Sequence, residues 1–313
     1  MIEKLTVSVC MITYNHENYI EEAINGVLMQ NCDFEIELII ANDASTDKTD
    51  EVIQNIIKNH SKASWIKYTR HQQNLGMIPN FIWALRRCKG KYIAICDGDD
   101  YWTSPFKLQK QVDFLDRNLD FNIIYTLHST QYTNNKLIKN EIKPINRREV
   151  GVEDIIKDNF IPASSTMFRN VIHGIEFSKW FYSSSYGDWP LYILITKKGE
   201  KIKCLLEYTL VYRKNVGIMK EINLSQRNLL ENNFKMFSNI YKDENYKEVE
   251  SIIEYKLYIL NTQIMKFLNR NKNFSEAFVK FRIIRKFKLN KSKYSSLPVF
   301  KIYIKSFIKS CLD

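Results

Sequence analysis

Three carboxylates and one glycine follow an apolar run in IAICDGDDYW, at residues 97–100. Asp97 and Asp99 should point to the same side because side chains alternate along an extended chain, and Gly98 lets the backbone approach a ligand closely. Neighbouring carboxylates repel one another unless a cation lies among them. The segment therefore predicts that Asp97, Asp99 and Asp100 surround a divalent cation, Mg2+ or Mn2+, bound to phosphate oxygens. A solvated acidic turn is the alternative interpretation.

A second acidic segment, ELIIANDASTDKT, also follows an apolar run. Asp47, or Thr46 before it, is placed to cap the helix that follows. Asp43 is not needed for capping, and its carboxylate could accept a hydrogen bond from the NH of a pyrimidine base. Asp43 is therefore a candidate for nucleotide recognition.

The segment ITYNHENY ends a third apolar run. Thr13, Tyr14 and Asn15 could present backbone and hydroxyl groups to the same base, or Asn15 could serve as an ordinary helix cap. In α/β sheets, ligands bind beyond the carboxyl ends of the strands. The three segments should therefore meet at one edge of a sheet.

The first 128 residues alternate apolar, β-branched runs with helical patterns, which is typical of a mostly parallel sheet flanked by helices. The predicted strands are 7–12, 37–41, 65–68, 92–96 and 122–127. The predicted helices are 17–29, 47–58, 79–87 and 105–116. Residues 129–217 have a mixed pattern, with a turn at Asn134-Asn135 and strands at 163–168 and 203–213. Beyond Met219 the pattern is helical, so we predict an α/β domain with a C-terminal helical appendage.

The net charge of +11 is concentrated near the C-terminus. Residues 251–313 hold 14 Lys or Arg and 3 acidic residues, whereas residues 1–250 hold 32 of each kind. Near the end of the chain, lysines at every fourth position face an apolar arc: Lys301, Lys305 and Lys309 against Ile304, Phe307, Ile308 and Cys311. This pattern predicts either a basic amphipathic helix at an anionic membrane surface or a helix packed on its own domain.

No apolar run approaches the roughly 20 residues that a membrane-spanning helix needs, and the N-terminus lacks the layout of a signal peptide. We expect a protein of the cytoplasm, or one held peripherally at the inner face of the cell membrane, with no nucleic acid partner. The six cysteines are scattered without a CxxC pair or a histidine at zinc spacing, so we expect reduced thiols.

Five segments of the chain, taken together, resemble the family-2 inverting glycosyltransferases. They are SVCMITYNHENYIEEAI, IIANDASTDKT, RHQQNLG, GKYIAICDGDDYW and KLQKQVDFL, in the order and spacing of that family. The resemblance covers residues 5–217 and implies a GT-A type, Rossmann-like fold. We expect a catalytic domain at 1–217, with a nucleotide-sugar-binding half at 1–128 and an acceptor half at 129–217. The basic helical region at 218–313 would follow it.

The resemblance also implies which residues bind the donor. The nucleobase, usually uracil, would be held by Thr13, Tyr14, Asn15 and Asp43. The nucleotide and the sugar would be bordered by Arg70, Asn74, Leu75 and Gly76. Asp97 and Asp99 match the family's D-x-D pair, which contacts the donor ribose and the metal on the diphosphate. Asp100 adjoins them, and the sequence does not decide which of the three ligates the metal.

The resemblance implies a catalytic base at Asp188 in SSYGDWPLYI, near the start of a helix whose first turn would contain Pro190. Helix capping is the alternative role for Asp188. Gly187 departs from the family, because a second acid is common at that position. The segment 212–215 also departs, since relatives often have Tyr-Arg-x-His where this chain has Tyr-Arg-Lys-Asn. Lys214 or Asn215 would then replace the histidine.

Together these residues predict direct transfer of a sugar from a nucleotide diphosphate donor, a UDP-sugar, to an acceptor hydroxyl with inversion. Asp188 would accept the proton of that hydroxyl, and the cation near Asp97 and Asp99 would neutralise the departing diphosphate. The acceptor would be a glycan or lipid-linked glycan of a bacterial surface polysaccharide. One alternative is a nucleotidyltransferase, although ITYNHENY contains no glycine-rich phosphate loop. Another is a degenerate, membrane-associated assembly protein, which the intact carboxylates disfavour.

Overall fold

The computed structural model describes residues 5–214, 216, 226–284, 303–304 and 306–308. The chain divides into two compact units. The first unit comprises Met1–Ile155, Asn159–Phe177 and Tyr186–Asn223, and the second comprises Ile156–Asp158, Ser178–Ser185 and Leu224–Asp313. The two short segments of the second unit that interrupt the first were not predicted from the sequence.

In the described part of the chain, nine strands form one mixed sheet within the first unit. In chain order they are β1 (Val7–Thr13), β2 (Ile36–Asn42), β3 (Ile66–Arg70), β4 (Tyr92–Ile95), β5 (Tyr101–Trp102), β6 (Phe121–Gln131), β7 (Leu137–Lys139), β8 (Met167–Arg169) and β9 (Lys201–Arg213). Their spatial order is β3-β2-β1-β4-β8-β6-β9-β5, and β7 pairs with β6.

Strands β3, β2, β1 and β4 form the parallel half of the sheet. All seven residues of β2 are buried, as expected when helices cover both faces of a parallel sheet. The predicted strands in this half lie within two residues of the observed ones. The predicted α/β fold class is confirmed, and the carboxyl ends of β1, β2 and β4 lie at one edge of the sheet.

The other half of the sheet is mostly antiparallel. Strand β8 pairs antiparallel with both β4 and β6, and β5 pairs antiparallel with β9, whereas β6 and β9 are parallel. Strand β7 closes a hairpin with β6, and Asn135 in its turn has a φ of 59°. The expected turn at Asn134-Asn135 is therefore present. The strand predicted at 122–127 reaches the parallel half only through the antiparallel β8.

Ten helices occur in the described residues. In chain order they are α1 (Ile20–Leu28), α2 (Thr49–Asn59), α3 (Met77–Leu85), α4 (Lys107–Arg117), α5 (Val152–Lys157), α6 (Lys179–Tyr182), α7 (Asp188–Ile195), α8 (Gln226–Ile240), α9 (Glu250–Arg270) and α10 (Phe274–Ile284). Helices α1 to α4 match the predicted ones in order, with bounds within three residues of those predicted.

The second unit has a core of its own between α9 and α10, which includes Ile264, Leu268 and Phe281. Tyr303 and Phe307 also contact α10: the Tyr303 and Phe281 ring centroids lie 4.9 Å apart, and those of Phe307 and Phe274 lie 4.7 Å apart. These contacts favour the packed-helix alternative for Phe307. Lys301, Lys305, Lys309 and Cys311, which define the predicted amphipathic pattern, lie outside the described residues.

Among the described helices, none combines the length and the apolar character needed to cross a membrane.

Candidate active site

A cleft of about 730 Å³, including its open mouth, lies at the carboxyl ends of β1, β2 and β4 and beside the end of β9. This volume is in the range of small-molecule sites. The cleft is lined by Ile12, Thr13, Tyr14, His16, Asp43, Met77, Asn80, Asp97, Asp99, Asp100, Tyr212, Arg213 and Val216. The structure thus brings together most of the predicted donor-site residues.

The acidic loop between β4 and β5 is fixed to the end of β1. Gly98 donates its backbone N–H to the carbonyl of Ile12 at 3.1 Å. A Cβ added at Gly98 would lie 2.9 Å from the Thr13 hydroxyl oxygen and 2.9 Å from Nδ1 of His16. Glycine is therefore required here by the protein's own packing, whereas the sequence suggested close approach to a ligand.

Ser164 connects two of the three carboxylates of this loop. Its hydroxyl accepts the backbone N–H of Asp97 at 3.0 Å and donates to Oδ2 of Asp100 at 2.9 Å. The second oxygen of Asp100 accepts the backbone N–H of Arg213 at 2.9 Å. Both oxygens of Asp100 are thus engaged within the protein, which makes Asp100 a less available metal ligand than its neighbours.

Arg213, at the end of β9, places a buried cation beside the acidic loop. Its guanidinium donates to the backbone carbonyl of Asp99 at 2.8 Å and forms an ion pair with Glu22. The ring of Tyr101 lies 4.5 Å from the guanidinium carbon. Arg213 therefore holds the loop through its backbone and leaves the Asp99 carboxylate facing the cleft.

Two carboxylates of the loop, those of Asp97 and Asp100, have raised pKa values. Burial raises the pKa of Asp97 to about 8, with further contributions from the charges of Asp99 and Asp188. Burial also raises the pKa of Asp100 well above its usual range, with Asp99 and Asp97 adding to the effect. A bound divalent cation would offset this repulsion, and carboxylate oxygens are ligands that Mg2+ and Mn2+ accept.

Among the described residues, no cluster of three or more His, Cys, Asp or Glu side chains is arranged to hold a metal ion alone. Magnesium-type sites often use one or two protein carboxylates and take their other ligands from phosphates and water. The oxygen donors in this loop fit a cation of that kind, with a bound diphosphate completing its coordination.

Asp43 is buried and anchors the loop that precedes α3. Its two carboxylate oxygens accept the backbone N–H groups of Leu75 at 2.7 Å and Gly76 at 3.0 Å, and Asn74 donates to its backbone carbonyl. Gly76 has a φ of 87°, which only glycine adopts without strain. The structure thus brings Asp43, Asn74 and Gly76 together, and each Asp43 oxygen has a lone pair left for a ligand.

Thr13 and Tyr14 line the cleft, whereas Asn15 turns away from it. Asn15 has a φ of 55°, and its side-chain oxygen accepts the backbone N–H of Thr46 at 2.9 Å. Its contacts are thus with the loop before α2. Asp47 accepts the backbone N–H of Thr49 at 3.0 Å, so it does serve the start of α2, although Lys48 occupies the cap position.

Arg70 ends β3 away from the cleft. Its guanidinium donates to the backbone carbonyl of Ser45 at 3.1 Å and lies 3.4 Å from Asp50, with about half of the side chain exposed. The cleft-lining residues do not include it. Arg70 could therefore contact a bound donor only if that donor extended past the residues that line the cleft.

Asp188 is the first residue of α7, and Gly187 rather than Asp188 occupies the cap position. Its carboxylate accepts a hydrogen bond from Asn159 at 3.4 Å, and burial raises its pKa. Asp188 lies close enough to Asp97 for its charge to raise the pKa of that carboxyl. The two acids thus belong to one electrostatic site.

Gly187 touches an aromatic ring. A Cβ at this position would lie 2.8 Å from Cδ1 of Phe81, a buried residue of α3. The second acid that relatives commonly carry would therefore collide with Phe81 in this chain. The departure at Gly187 has a steric cause, and it leaves the position of Asp188 unaffected.

Besides the cleft-lining Ile12, Met77, Asn80, Tyr212 and Val216, three residues around the acidic loop were not among the predicted ones. Ser164 and Arg213 contact the acidic loop from distant segments, and His16 lines the cleft beside Asp99. His16 follows directly on ITYN, so its place after a strand was a signal that the sequence offered. Lys214 is exposed, with Nζ 5.3 Å from the ring of Tyr132, and Asn215 lies outside the described residues.

Residues 8–175, more than half of the chain, match the family model described as glycosyl transferase family 2. The chain belongs to this family. An uncharacterized protein of Mycobacterium tuberculosis is 33% identical over 219 residues, which cover 67% of this chain and 59% of that protein. This chain therefore spans less than two thirds of that relative's length. A putative teichuronic acid biosynthesis glycosyltransferase of Bacillus subtilis, TuaG, is 28% identical, over 66% of this chain and 80% of TuaG.

Solved structures of similar fold come from proteins with little sequence identity to this chain. Staphylococcus aureus TarS 1-349, in complex with UDP-GlcNAc, has a TM-score of 0.59 and 19% identity, covering 98% of this chain and 81% of that one. The mannosyltransferase PcManGT of Pyrobaculum calidifontis, in complex with GDP-Man and Mn2+, has a TM-score of 0.56 and 14% identity, with 99% and 81% covered. The GT-A fold implied by the family-2 motifs is confirmed.

Proposed function

We propose that this family-2 protein is a glycosyltransferase that moves a sugar from a nucleotide diphosphate donor to an acceptor hydroxyl with inversion. The observation that carries the proposal is the acidic loop at 97–100, whose three carboxylates line the cleft, with the buried Asp188 carboxylate near enough to raise the pKa of Asp97. One acid group can serve the leaving diphosphate while the other activates the attacking hydroxyl. Single displacement needs these two functions on opposite sides of the sugar.

The donor half would be bound by residues at the ends of β1 and β2. Thr13 and Tyr14 line the cleft, and Asp43 presents carboxylate oxygens that are already fixed by Leu75 and Gly76. A carboxylate held by two backbone N–H groups is oriented in advance, so its remaining lone pairs can accept the N–H of a base at little entropic cost. This arrangement suits uracil.

Asp97 and Asp99 would hold the divalent cation, Mn2+ or Mg2+, that accompanies the diphosphate. Such a cation neutralises negative charge on the leaving group. Asp100, tied to Ser164 and Arg213, would position the loop and take little part in direct coordination. Arg213 adds a fixed positive charge on the same side of the cleft.

Asp188 would act as the general base. Its raised pKa, caused by burial, makes the ionised carboxylate a better proton acceptor than an exposed aspartate. Asn159 donates a hydrogen bond to one carboxylate oxygen and so restricts its rotation. The backbone N–H groups of Trp189 and Asp188 also hydrogen-bond to this carboxylate and so fix its orientation.

The names of similar proteins support a nucleotide-sugar donor and a role in polysaccharide biosynthesis. TarS is described with UDP-GlcNAc and PcManGT with GDP-Man, while TuaG is named for teichuronic acid biosynthesis. We propose a UDP-sugar as the donor, and a glycan or lipid-linked glycan of a surface polysaccharide as the acceptor. The protein would work in the cytoplasm or peripherally at the membrane surface.

The test is metal-dependent release of UDP from a panel of UDP-sugars, with donor binding measured in parallel by calorimetry. Asp99→Ala should abolish transfer and weaken metal-dependent donor binding without unfolding the protein, because Asp99 faces the cleft rather than the core. The matched control is Asp33→Ala, which removes an exposed carboxylate far along the chain from the acidic loop.

Two results would overturn the proposal. Release of sugar 1-phosphate instead of UDP, with the uridylyl group transferred, would indicate a nucleotidyltransferase. Failure of the folded protein to bind any nucleotide sugar, with or without a divalent cation, would indicate the degenerate assembly protein.

A further inference from the structure

The hairpin of β6 and β7 carries a shallow depression that the proposed donor site does not use. Its volume is about 530 Å³, including its open mouth, and it is lined by Tyr132, Thr133, Asn134, Lys136 and Ile138. Among the described residues, no hydrogen bond engages the hydroxyls of Tyr132 and Thr133 or the side-chain NH2 group of Asn134. An aromatic ring beside free polar groups suits a sugar, which has C–H groups on its faces and hydroxyls at its edges.

The turn that forms the depression is ordered by its own hydrogen bonds. The backbone N–H of Tyr132 donates to the carbonyl of Lys136 at 2.9 Å, and the side-chain oxygen of Asn134 accepts the N–H of Lys136 at 3.1 Å. The strand that follows, β7, pairs antiparallel with β6. A ligand that binds here does not have to order the loop, which lowers the entropic cost of binding.

The depression lies beside the candidate active site. Tyr212 lines the cleft, and its ring centroid lies 6.2 Å from that of His128 on β6. Two residues after Tyr212, Lys214 donates its backbone N–H to the carbonyl of Gln131 at 2.9 Å. The Nζ atom of Lys214 lies 5.3 Å from the ring centroid of Tyr132. Two residues of an extended chain span roughly 7 Å, so one extended ligand can occupy both the depression and the cleft.

The positive charge around the depression is not neutralised by the protein. Among the described residues, no acidic side chain forms an ion pair with the four lysines of this surface, Lys136, Lys139, Lys143 and Lys214. Glu141 is the one acidic residue in the segment 132–143. By contrast, Lys110 is paired with Glu207 at 2.6 Å. A surface with charge of one sign attracts ligands of the opposite sign.

Resting on the proposed function, we propose that this depression, together with Lys136 and Lys214, binds an anionic glycan chain, which is the acceptor, and leads its end into the cleft. The ring of Tyr132 contacts one face of a sugar, and the free polar groups of the turn bind its hydroxyls. The lysines bind carboxylates or phosphates of the chain. A membrane surface fits less well, because the depression is concave and is lined mainly by polar groups.

The experiment measures binding of three oligosaccharides of equal length to the full chain by calorimetry, with and without UDP. An oligogalacturonate carries carboxylates, a phosphodiester-linked oligosaccharide carries phosphates, and a malto-oligosaccharide is neutral. The wild type should bind at least one anionic probe more tightly than the neutral one, and binding should weaken as salt is raised. The double variant Lys136→Ser with Lys214→Ser should bind the anionic probe about two- to thirtyfold more weakly, with UDP binding unchanged.

The matched control is Lys58→Ser with Lys89→Ser, which removes the same charge from exposed positions on α2 and before β4. It should keep the wild-type affinity for the probes. Tyr132→Val removes the ring without changing the charge, and it should weaken binding of the anionic probe by about two- to tenfold. Circular dichroism and thermal unfolding establish that each variant is folded, and Tyr132→Leu replaces Tyr132→Val if the latter is not.

The outcomes separate this inference from the proposed function. If UDP binds but neither anionic probe does, or if the double lysine variant binds them as the wild type does, the inference is wrong and the proposed function stands. If the probes bind through the two lysines but no nucleotide sugar binds, the glycan-binding surface stands and the proposed function fails.

Two other occupants of the surface would also be detected. If the double lysine variant loses binding to anionic vesicles but keeps its affinity for the oligosaccharides, the lysines contact a membrane and the inference is overturned. A wild-type dimer that dissociates in Tyr132→Val, with no oligosaccharide bound by either protein, would make the depression a contact between two copies of the chain. Sedimentation velocity measures that dissociation, and this result would overturn the inference as well.

Discussion

Burial raises the pKa of both Asp97 and Asp188, and the consequence differs between the two residues. For Asp97, a pKa of about 8 means that the metal-free site is partly protonated near neutral pH. For Asp188, the raised pKa makes the ionised form a stronger base but a less populated one at low pH. The same physical cause therefore makes a cation compete with a proton at Asp97 and makes Asp188 a stronger base once it is ionised.

Asp188→Asn should lower turnover by about 100-fold or more while leaving UDP binding nearly unchanged. Asparagine keeps the size of the side chain and its hydrogen bond with Asn159, but it cannot accept the hydroxyl proton. Steady-state transfer kinetics and calorimetry with UDP measure the two effects. A collapse of UDP binding would place Asp188 in the nucleotide site, and the base would then lie elsewhere.

The turnover of the wild type should fall as the pH is lowered through the raised pKa of Asp188. A carboxyl with a raised pKa loses its basic form at a higher pH than an exposed aspartate, whose pKa is about 4. The acidic limb of kcat should therefore begin above the usual range for aspartate. The measurement is kcat against pH with saturating donor, acceptor and Mn2+. A flat profile down to pH 5 would contradict this role.

Gly187→Ala should reduce both stability and turnover, because its Cβ would lie 2.8 Å from the ring of Phe81. Something must shift to relieve that contact, and α7 begins at the next residue, Asp188. Adding Phe81→Leu should restore part of the loss by shortening the opposing side chain. Gly174→Ala is the control, since nothing lies within 4 Å of its Cβ position. Thermal unfolding and transfer rates that match the wild type would refute the steric account.

Helix α4, which follows the acidic loop and β5 in the chain, begins with a buried lysine, Lys107. Lys107 donates to the side chain of Gln111 at 2.8 Å and lies 4.1 Å from the ring of Trp102. Trp102 in turn donates to the backbone carbonyl of Ser164 at 2.7 Å. Burial lowers the pKa of Lys107 to about 7. The helix thus carries an ionisable group whose charge depends on pH near neutrality.

Lys107→Met should remove a pH dependence of stability between pH 7 and 10. In that range the unfolded chain binds the Lys107 proton and the folded chain does not, so the free energy of unfolding of the wild type rises with pH. The stability of the variant relative to the wild type should therefore fall by on the order of 1–3 kcal/mol from pH 7 to pH 10. Urea denaturation at several pH values measures it. Lys58→Met, at an exposed position, should show no such trend, and an equal trend in both variants would refute the assignment.

The parallel half of the sheet could be predicted because each of its strands is an apolar run between helical patterns. Strands β5 and β7 have two and three residues, too few to produce a pattern, and they exist through pairing with β9 and β6. In the candidate site, too, residues that directly follow an apolar run could be predicted, whereas residues brought in by tertiary contacts could not. Asp43 and the acidic loop directly follow strands, whereas Ser164 reaches Asp100 only through tertiary contacts. Arg70 was predicted to border the donor because it follows a predicted strand. In the structure its guanidinium lies beside Asp50 instead of lining the cleft.

For the whole molecule, the distribution of charge is the main feature that the proposed chemistry leaves unexplained. Residues 251–313 contain 14 Lys or Arg and 3 acidic residues, while the remaining residues have no net charge. A charge excess confined to one end of the chain is suited to a surface that carries opposite charge. Anionic lipid, reached by screened attraction, is the partner that the lysine spacing predicts.

Replacing Lys301, Lys305 and Lys309 with glutamate should release the protein from anionic vesicles without stopping hydrolysis of soluble UDP-sugars. Binding of the wild type should weaken with salt, because surface attraction is screened over about 8 Å at physiological ionic strength. Co-sedimentation with vesicles at low and high salt measures both effects. Equal sedimentation of the wild type and the triple variant would mean that the lysines only solvate a helix packed on its own unit.

The contacts of Arg213 have a consequence for the order in which the protein is completed during translation. Its backbone N–H and guanidinium meet Asp100 and Asp99 across 113 and 114 residues of chain. The stretch that matches the family model ends at residue 175 and does not contain this arginine. During synthesis on the ribosome, the acidic loop therefore lacks its hydrogen bonds from Arg213 until β9 has emerged. A ligand can therefore meet a finished cleft only after that step.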